Sequence, residues 1–340
     1  MLQLEFQSVA HGRRPGVLPL TSLIQRACGH GFKSIVFTLN PYRLKVLVPP
    51  PLRRTSKVRI VATSGPFDRL LFWRAIGWLA NVCRPHFDPS IFERDGFLAG
   101  SDERRRAEFQ SALDDPETAA VVVARGGWGA ARFAQSLDYS GLRSSPKWLV
   151  GFSDPTIMHM NAWRLGVASM HASNLVALGR GDSVARKTWV EALQWPLRHR
   201  VLRGRPASRG TASGTLVGGN LTVLMGGLAT GCLRLPDQCI LALEDVTESP
   251  YRVDRMLSAL RHSGALDRVG AIALGEFVDC NAGADGVGVA QVLRSHLLPM
   301  GIPFITDLPF GHGRINVPLP FGTTAMLNSD KGELGLGIQA

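Results

Sequence analysis

"KWLVGFSDPTIMHM", residues 147–160, passes from an apolar run through Gly, Ser, Asp and Pro into a stretch with helical character. An apolar run, a short turn and then a helix describe a β-strand feeding a crossover helix, and so a parallel sheet with helices on its faces. Pro155 suits the first position of that helix because it has no amide proton to leave unpaired. Asp154 suits the N-cap because its carboxylate accepts a free N–H. Ser153 then stands just outside the helix, facing the unpaired N–H groups and the positive end of the dipole, which favour a developing oxyanion. A packed core does not require a hydroxyl there. It either finishes a loop or does chemistry, and for chemistry a serine needs a base.

Working outward, "ETAAVVVARGGWGAARFAQSL", residues 117–137, repeats the pattern with a strand near 119–124, a glycine turn and a helix. Ligands in parallel sheets sit beyond the carboxyl ends of the strands, where both turns fall. The turn "ARGGWGAAR" lacks a dinucleotide fingerprint, since Gly127 and Gly129 are followed by Arg132 in the last position. It also lacks the G-K-[ST] ending of a phosphate loop. Its glycines suit an oxyanion hole or anion nest better than a nucleotide.

A chain of 340 residues, 45% apolar and 19% charged, predicts a soluble globular protein of two domains. No apolar run approaches the ~18 residues that span a bilayer, and the first residues lack a secretory pattern, so the expected compartment is the cytoplasm. Of the net charge of +11, residues 1–57 carry eight, with nine Lys/Arg and one acid. The body is therefore no nucleic-acid surface by charge. Five cysteines without a C-x-x-C pair, and nine histidines without ligand spacing, predict no disulfide framework, no metal and no cofactor.

The boundaries that follow are a basic extension and linker at 1–57 ending in "PPPLRRTSK", a nucleophile domain at 58–178, an Arg/Gly/Ser/Pro-rich connection at 179–213 and a C-terminal domain at 214–340. The last of these supplies partners for Ser153. "CILALEDVTESPYRVDRML" places Glu244 and Asp245 at the end of an apolar strand, where an acid can orient an imidazole. "ITDLPFGHGRINVPLPFG" places His312 in a glycine- and proline-rich loop that leaves it free to project into a cleft.

These segments, together with "GFLAGSDERRRAEFQSALDDPE", "GTLVGGNLTVL" and "ALGEFVDC", resemble in order the LD-carboxypeptidase family of serine peptidases, over roughly residues 58–325. That family includes muramoyltetrapeptide carboxypeptidases and microcin C immunity peptidases. The resemblance implies an N-terminal parallel-sheet, Rossmann-like domain of the class I glutamine amidotransferase kind and a smaller C-terminal α/β domain. It also implies a Ser153–His312–Glu244 triad at their junction, an oxyanion hole from Asp154 and Gly126 or Gly127, and a homodimer. The implied reaction releases a C-terminal D-amino acid from a murein peptide, with cleavage of an aminoacyl-adenylate-like toxin as the alternative. Neither nucleic acid nor membrane is an expected partner.

Arg125, Trp128 and Asn220 are candidate substrate-binding residues, although Arg125 can equally serve a structural ion pair. The family's H-G-P reads here as His171, Ala172 and Ser173, and no G-D precedes the first strand. An esterase of the α/β-hydrolase type would need G-x-S-x-G, and Pro155 occupies its last position. A binding protein that had lost catalysis would lack a triad residue, and all three are present.

Overall fold

A computed structural model of the protein describes residues 46–338 apart from residue 232. Most of the basic extension, residues 1–45, lies outside the described residues. The first sheet is built from β1 (Lys57–Val61), α1 (Arg69–Leu79), β2 (Arg84–His86), α2 (Asp102–Asp114), β3 (Thr118–Val123), the short α3 (Gly141–Ser144), β4 (Trp148–Gly151), α4 (Thr156–Arg164) and β5 (Ser169–His171). Its strands run parallel in the order β5-β4-β3-β1-β2. β3 and β4 are almost wholly buried, as strands covered on both faces should be.

The short α5 (Leu175–Leu178) and the longer α6 (Ser183–Gln194) follow. The stretch expected as a connection thus contains a twelve-residue helix capped by Asp182. That helix buries Trp189, Ala192 and Leu193 in the same core as Phe72 and Trp148. Ordered chain also precedes the expected first strand. Leu52 is buried and its N–H donates to Leu193 O at 2.9 Å, while Trp148 Nε1 donates to Pro50 O at 3.0 Å.

The second sheet is assembled from β6 (Arg200–Arg203), β7 (Arg205–Pro206), β8 (Thr211–Asn220), α7 (Leu221–Ala229), β9 (Cys239–Val246), α8 (Pro250–His262), β10 (Val269–Val278), α9 (Val289–Leu297), β11 (Phe304–Thr306), β12 (Leu319–Phe321), β13 (Thr324–Asn328) and β14 (Glu333–Leu336). Eight of these strands run in the order β6-β14-β13-β8-β9-β10-β11-β7, with β8 to β11 parallel and antiparallel strands at both margins. The exception is β12, which leaves this sheet and pairs antiparallel with β5 at the edge of the first.

One apolar core runs between the two sheets. It holds Leu149 and Ile157 from the first and Leu221, Leu241 and Leu274 from the second. α4, which follows Ser153, is therefore gripped from both sides. Asn220 N donates to Thr156 Oγ1 at 3.0 Å, tying its first turn to the end of β8. β10 carries a bulge against β9: Leu274 pairs with Leu243, and the next pair is Phe277 with Asp245, so Gly275 and Glu276 together face Glu244.

Candidate active site

Ser153 sits between β4 and α4 with φ +72°, a left-handed conformation that a residue with a Cβ adopts only at a cost of about 1–3 kcal/mol. The surroundings hold it there. Asn174 pairs with the backbone of Phe152 in both directions, accepting from its N–H at 3.1 Å and donating to its carbonyl at 3.2 Å. On the other side Asp154 is fully buried, and its Oδ2 accepts from Ala130 N at 2.7 Å. The expected N-cap role is thus not taken. The helix begins at Thr156 without a side-chain cap, because the Asp154 carboxylate is turned away to brace the glycine turn. Burial pushes the Asp154 carboxyl up to about 6, against the pull of the Ser64 hydroxyl and the Ala130 N–H.

The glycine turn lies directly against the serine. A methyl group on Gly126 would stand 3.1 Å from Ser153 Oγ and 2.9 Å from its Cβ, so only glycine fits this approach. Among the described residues, the N–H groups of Gly126, Gly127 and Asp154 find no acceptor within the protein. Such N–H groups beside a serine are available to a developing oxyanion. Arg125 is exposed, donates to Pro66 O at 3.2 Å and makes no ion pair among the described residues. The structural ion pair left open by the sequence is therefore not formed. Trp128 is half exposed on the same turn.

His312 and Glu244 come together from the second sheet. Glu244 lies near the end of the buried run of β9, which closes at Asp245, and is itself fully buried. His312 follows Gly311, whose φ of +109° folds the loop back so tightly that a Cβ there would meet Glu244 Cβ at 2.8 Å. The result is a His312 Nδ1···Glu244 Oε2 hydrogen bond of 2.6 Å. Burial raises the Glu244 carboxyl above its usual range, and the His312 imidazole draws it part of the way back. With Nδ1–H engaged, Nε2 is left as a proton acceptor.

The imidazole rests against the ring of Phe152, the residue before Ser153, 4.7 Å between centroids. Among the described residues no hydrogen bond joins Ser153 Oγ to His312. Such contacts are often long before substrate binds. Asn220, expected as a pocket residue, is buried, with its amide taken up by Asp245 Oδ1 at 2.9 Å and by capping Val223 N at 3.2 Å.

Other residues that support the site carry no local motif. His159 on α4 bonds Gly151 O and Ser169 Oγ, each at 2.9 Å, and so fixes the end of β4 just before the serine. Burial lowers it to about 4, which keeps it neutral. His171 is buried among Phe152, Phe310 and Phe321, and burial holds it well below its usual range. Arg105 is fully buried, bonds Thr63 O at 2.7 Å and lends positive charge to Asp154. The only signal for these roles in the sequence is a polar residue inside an apolar stretch. No group of three or more His, Cys, Asp or Glu that could hold a metal occurs among the described residues. None of their helices is long and apolar enough to cross a membrane.

Fold and relatives together define a serine peptidase. Residues 58–172 match the LD-carboxypeptidase N-terminal domain and residues 213–327 the C-terminal domain of the same family. The chain belongs to the LD-carboxypeptidase family and is a hydrolase, a serine carboxypeptidase. It is 38% identical over 298 residues to slr1534 of Synechocystis sp., which bears the name "Putative carboxypeptidase", covering 85% of this chain and 96% of that one. It is 32% identical over 264 residues to the murein tetrapeptide carboxypeptidase of Pseudomonas aeruginosa, covering 72% and 84%. The structure of muramoyltetrapeptide carboxypeptidase from Oxalobacter formigenes superimposes with a TM-score of 0.75 at 30% identity, over 83% of this chain and 98% of that one. The fold is shared with the microcin C7 self-immunity protein MccF, at 19% identity and a TM-score of 0.77 over 86% of this chain and 99% of that one.

Proposed function

We propose that this protein hydrolyses the bond before a C-terminal D-alanine in cytoplasmic murein peptides, with Ser153 as nucleophile, His312 as base and Glu244 as the acid that orients it. Ser153 Oγ attacks the scissile carbonyl while its proton passes to His312 Nε2. The oxyanion of the tetrahedral intermediate is received by the N–H groups of Asp154 and of Gly126 or Gly127. Collapse breaks the C–N bond and His312 returns the proton to the departing amine, leaving an acyl-serine. Water, deprotonated by the same imidazole, then releases the shortened peptide. Glu244 holds the Nδ1–H tautomer and stabilises the imidazolium formed at each transfer. Arg125, which makes no ion pair among the described residues, receives the carboxylate of the leaving D-alanine, beside the half-exposed ring of Trp128.

The observation that carries this reading is the 2.6 Å imidazole–carboxylate pair whose imidazole packs on Phe152, the residue before a serine held in a left-handed turn. The relatives named for murein peptides supply the substrate class. In the test, purified protein is offered a murein tetrapeptide ending in D-alanine, its L-alanine epimer and a peptidyl adenylate analogue, with products identified by mass. Release of D-alanine alone is expected. Ser153→Ala, His312→Ala and Glu244→Ala should each lower kcat by roughly 10³-fold or more while the protein stays folded. Ser153→Ala within tenfold of wild type, or preference for the adenylate, would overturn the proposal.

A further inference from the structure

The chain on either side of His312 is fastened by backbone bonds, and the part that carries the imidazole is not. Leu308 N donates to Leu274 O at 3.0 Å and Glu276 N to Phe310 O at 3.1 Å, which ties the incoming limb of the loop to β10. Val317 N donates to Pro309 O at 2.8 Å and closes the base. Residues 311–316 protrude from that base, and among the described residues no backbone–backbone hydrogen bond forms within them.

A side chain makes the connection instead. Gly311 N donates to Asn316 Oδ1 at 3.0 Å in a buried contact, so that Asn316 joins the two ends of the protruding segment across His312. Gly311 is the residue whose φ of +109° turns the chain toward Glu244. Anchoring its N–H fixes the peptide plane against which that φ is set, and with it the direction in which His312 leaves the turn. The opposite end of the Asn316 side chain argues against a packing role. The residue is only 7% exposed, yet its Nδ2 finds no acceptor among the described residues. An unpaired buried amide is a cost, and leucine of similar volume would fill the space without it. Aspartate would offer the same oxygen but bring a second acid toward Glu244, whose carboxyl burial already raises. Asparagine supplies an uncharged acceptor.

We propose that Asn316 is a positioning residue for His312: through Gly311 it holds the loop in the one shape that brings Nδ1 onto Glu244 at 2.6 Å. It touches neither partner of that pair by a hydrogen bond, and it acts through the backbone alone. The assignment rests on the proposed triad, and its first readout requires no turnover.

The test uses the full chain. A proton held between His312 Nδ1 and Glu244 gives a far-downfield resonance, assigned by its absence from His312→Ala. Asn316→Leu should abolish that resonance and lower kcat by about tenfold to a hundredfold with KM within about threefold, while Tm stays within a few degrees. Asn316→Asp keeps an acceptor oxygen whether ionised or protonated, so it should retain the resonance and recover most of kcat. A resonance left intact in Asn316→Leu overturns the assignment, even where kcat and Tm fall, because a merely structural residue would not move the pair selectively. Loss of the resonance in both variants overturns it as well, since the acceptor oxygen is then not what matters. Loss in Asn316→Leu with kcat unchanged upholds the contact and overturns the triad instead. Should Asn316→Leu fail to fold, wild type decides: the Gly311 amide should exchange its hydrogen about tenfold or more slowly than that of exposed Arg314, and equal rates overturn the proposal.

Discussion

Gly126→Ala tests the proposed centre without removing any functional group. The new methyl would stand 2.9 Å from Ser153 Cβ, 3.1 Å from Ser153 Oγ and 3.3 Å from Asn174 Nδ2, whereas ordinary contacts begin near 3.4 Å. Ser153 or the turn must therefore retreat by about half an ångström. An error of about 1 Å in a reacting atom costs roughly 10²-fold, so half of that costs about tenfold. Disturbing the Gly126 N–H as well would move a proposed oxyanion donor, and the expected fall in kcat is ten- to a hundredfold with KM within about threefold. Gly126 does not use a positive φ, so alanine also restricts the unfolded chain, worth about 0.4–1 kcal/mol. That offsets part of the crowding and should keep Tm within a few degrees. The assay is steady-state release of D-alanine beside thermal unfolding. Gly77→Ala serves as control, because its methyl on exposed α1 meets nothing within 4 Å. A folded Gly126→Ala enzyme with kcat within twofold of wild type would refute the placement of the oxyanion hole.

Two further expectations concern stability. The Asp154 carboxyl is raised to about 6 from an ordinary value near 3.8. Between those pH values the folded chain keeps a proton that the unfolded chain has lost, so this group's contribution to stability falls as pH rises through the window and stays unfavourable above it. Asp154→Asn should accordingly unfold at pH 7.5 no earlier than wild type and show a shallower pH dependence between 4 and 6. An unchanged pH slope would show that Asp154 is not the group titrating there. Leu52→Ala should lower stability by about 2–4 kcal/mol, seen as an earlier denaturation midpoint, because Leu52 is buried against the first core. A loss below about 0.5 kcal/mol would mean that the segment before β1 is dispensable.

What the sequence disclosed and what it hid divide along the range of the interactions. β3 and β4 announce themselves as unbroken apolar runs, since strands buried on both faces have no polar side to show. Ser153 is legible for the opposite reason, as a hydroxyl at a seam where packing asks for none. Asp154 misled because its local pattern is that of a cap, while its real partner, Ala130, lies 24 residues away. Asn220 likewise looked available until β9 brought Asp245 to its amide. α6 was concealed by the basic and glycine-rich composition around it, with its buried stripe reduced to Trp189, Ala192 and Leu193. The bracing by His159 and Asn174 exists only once β4, β5 and α4 are packed, and no spacing rule registers it.

The departure of β12 from its own sheet gives the loop before it a mechanical character. That loop starts from β11, anchored in the second sheet, and ends in β12, hydrogen-bonded to β5 in the first, with His312 between the two anchorages. It is a strap stretched between two plates. Any sliding or opening of one sheet against the other is transmitted to the imidazole, which is held to Glu244 from one plate and leans on Phe152 from the other. With His312 as the proposed base, substitutions in the core between the sheets, at positions such as Ile157 or Leu241, should act on turnover through the tension of this strap, and activity should fade on heating before the sheets themselves come apart.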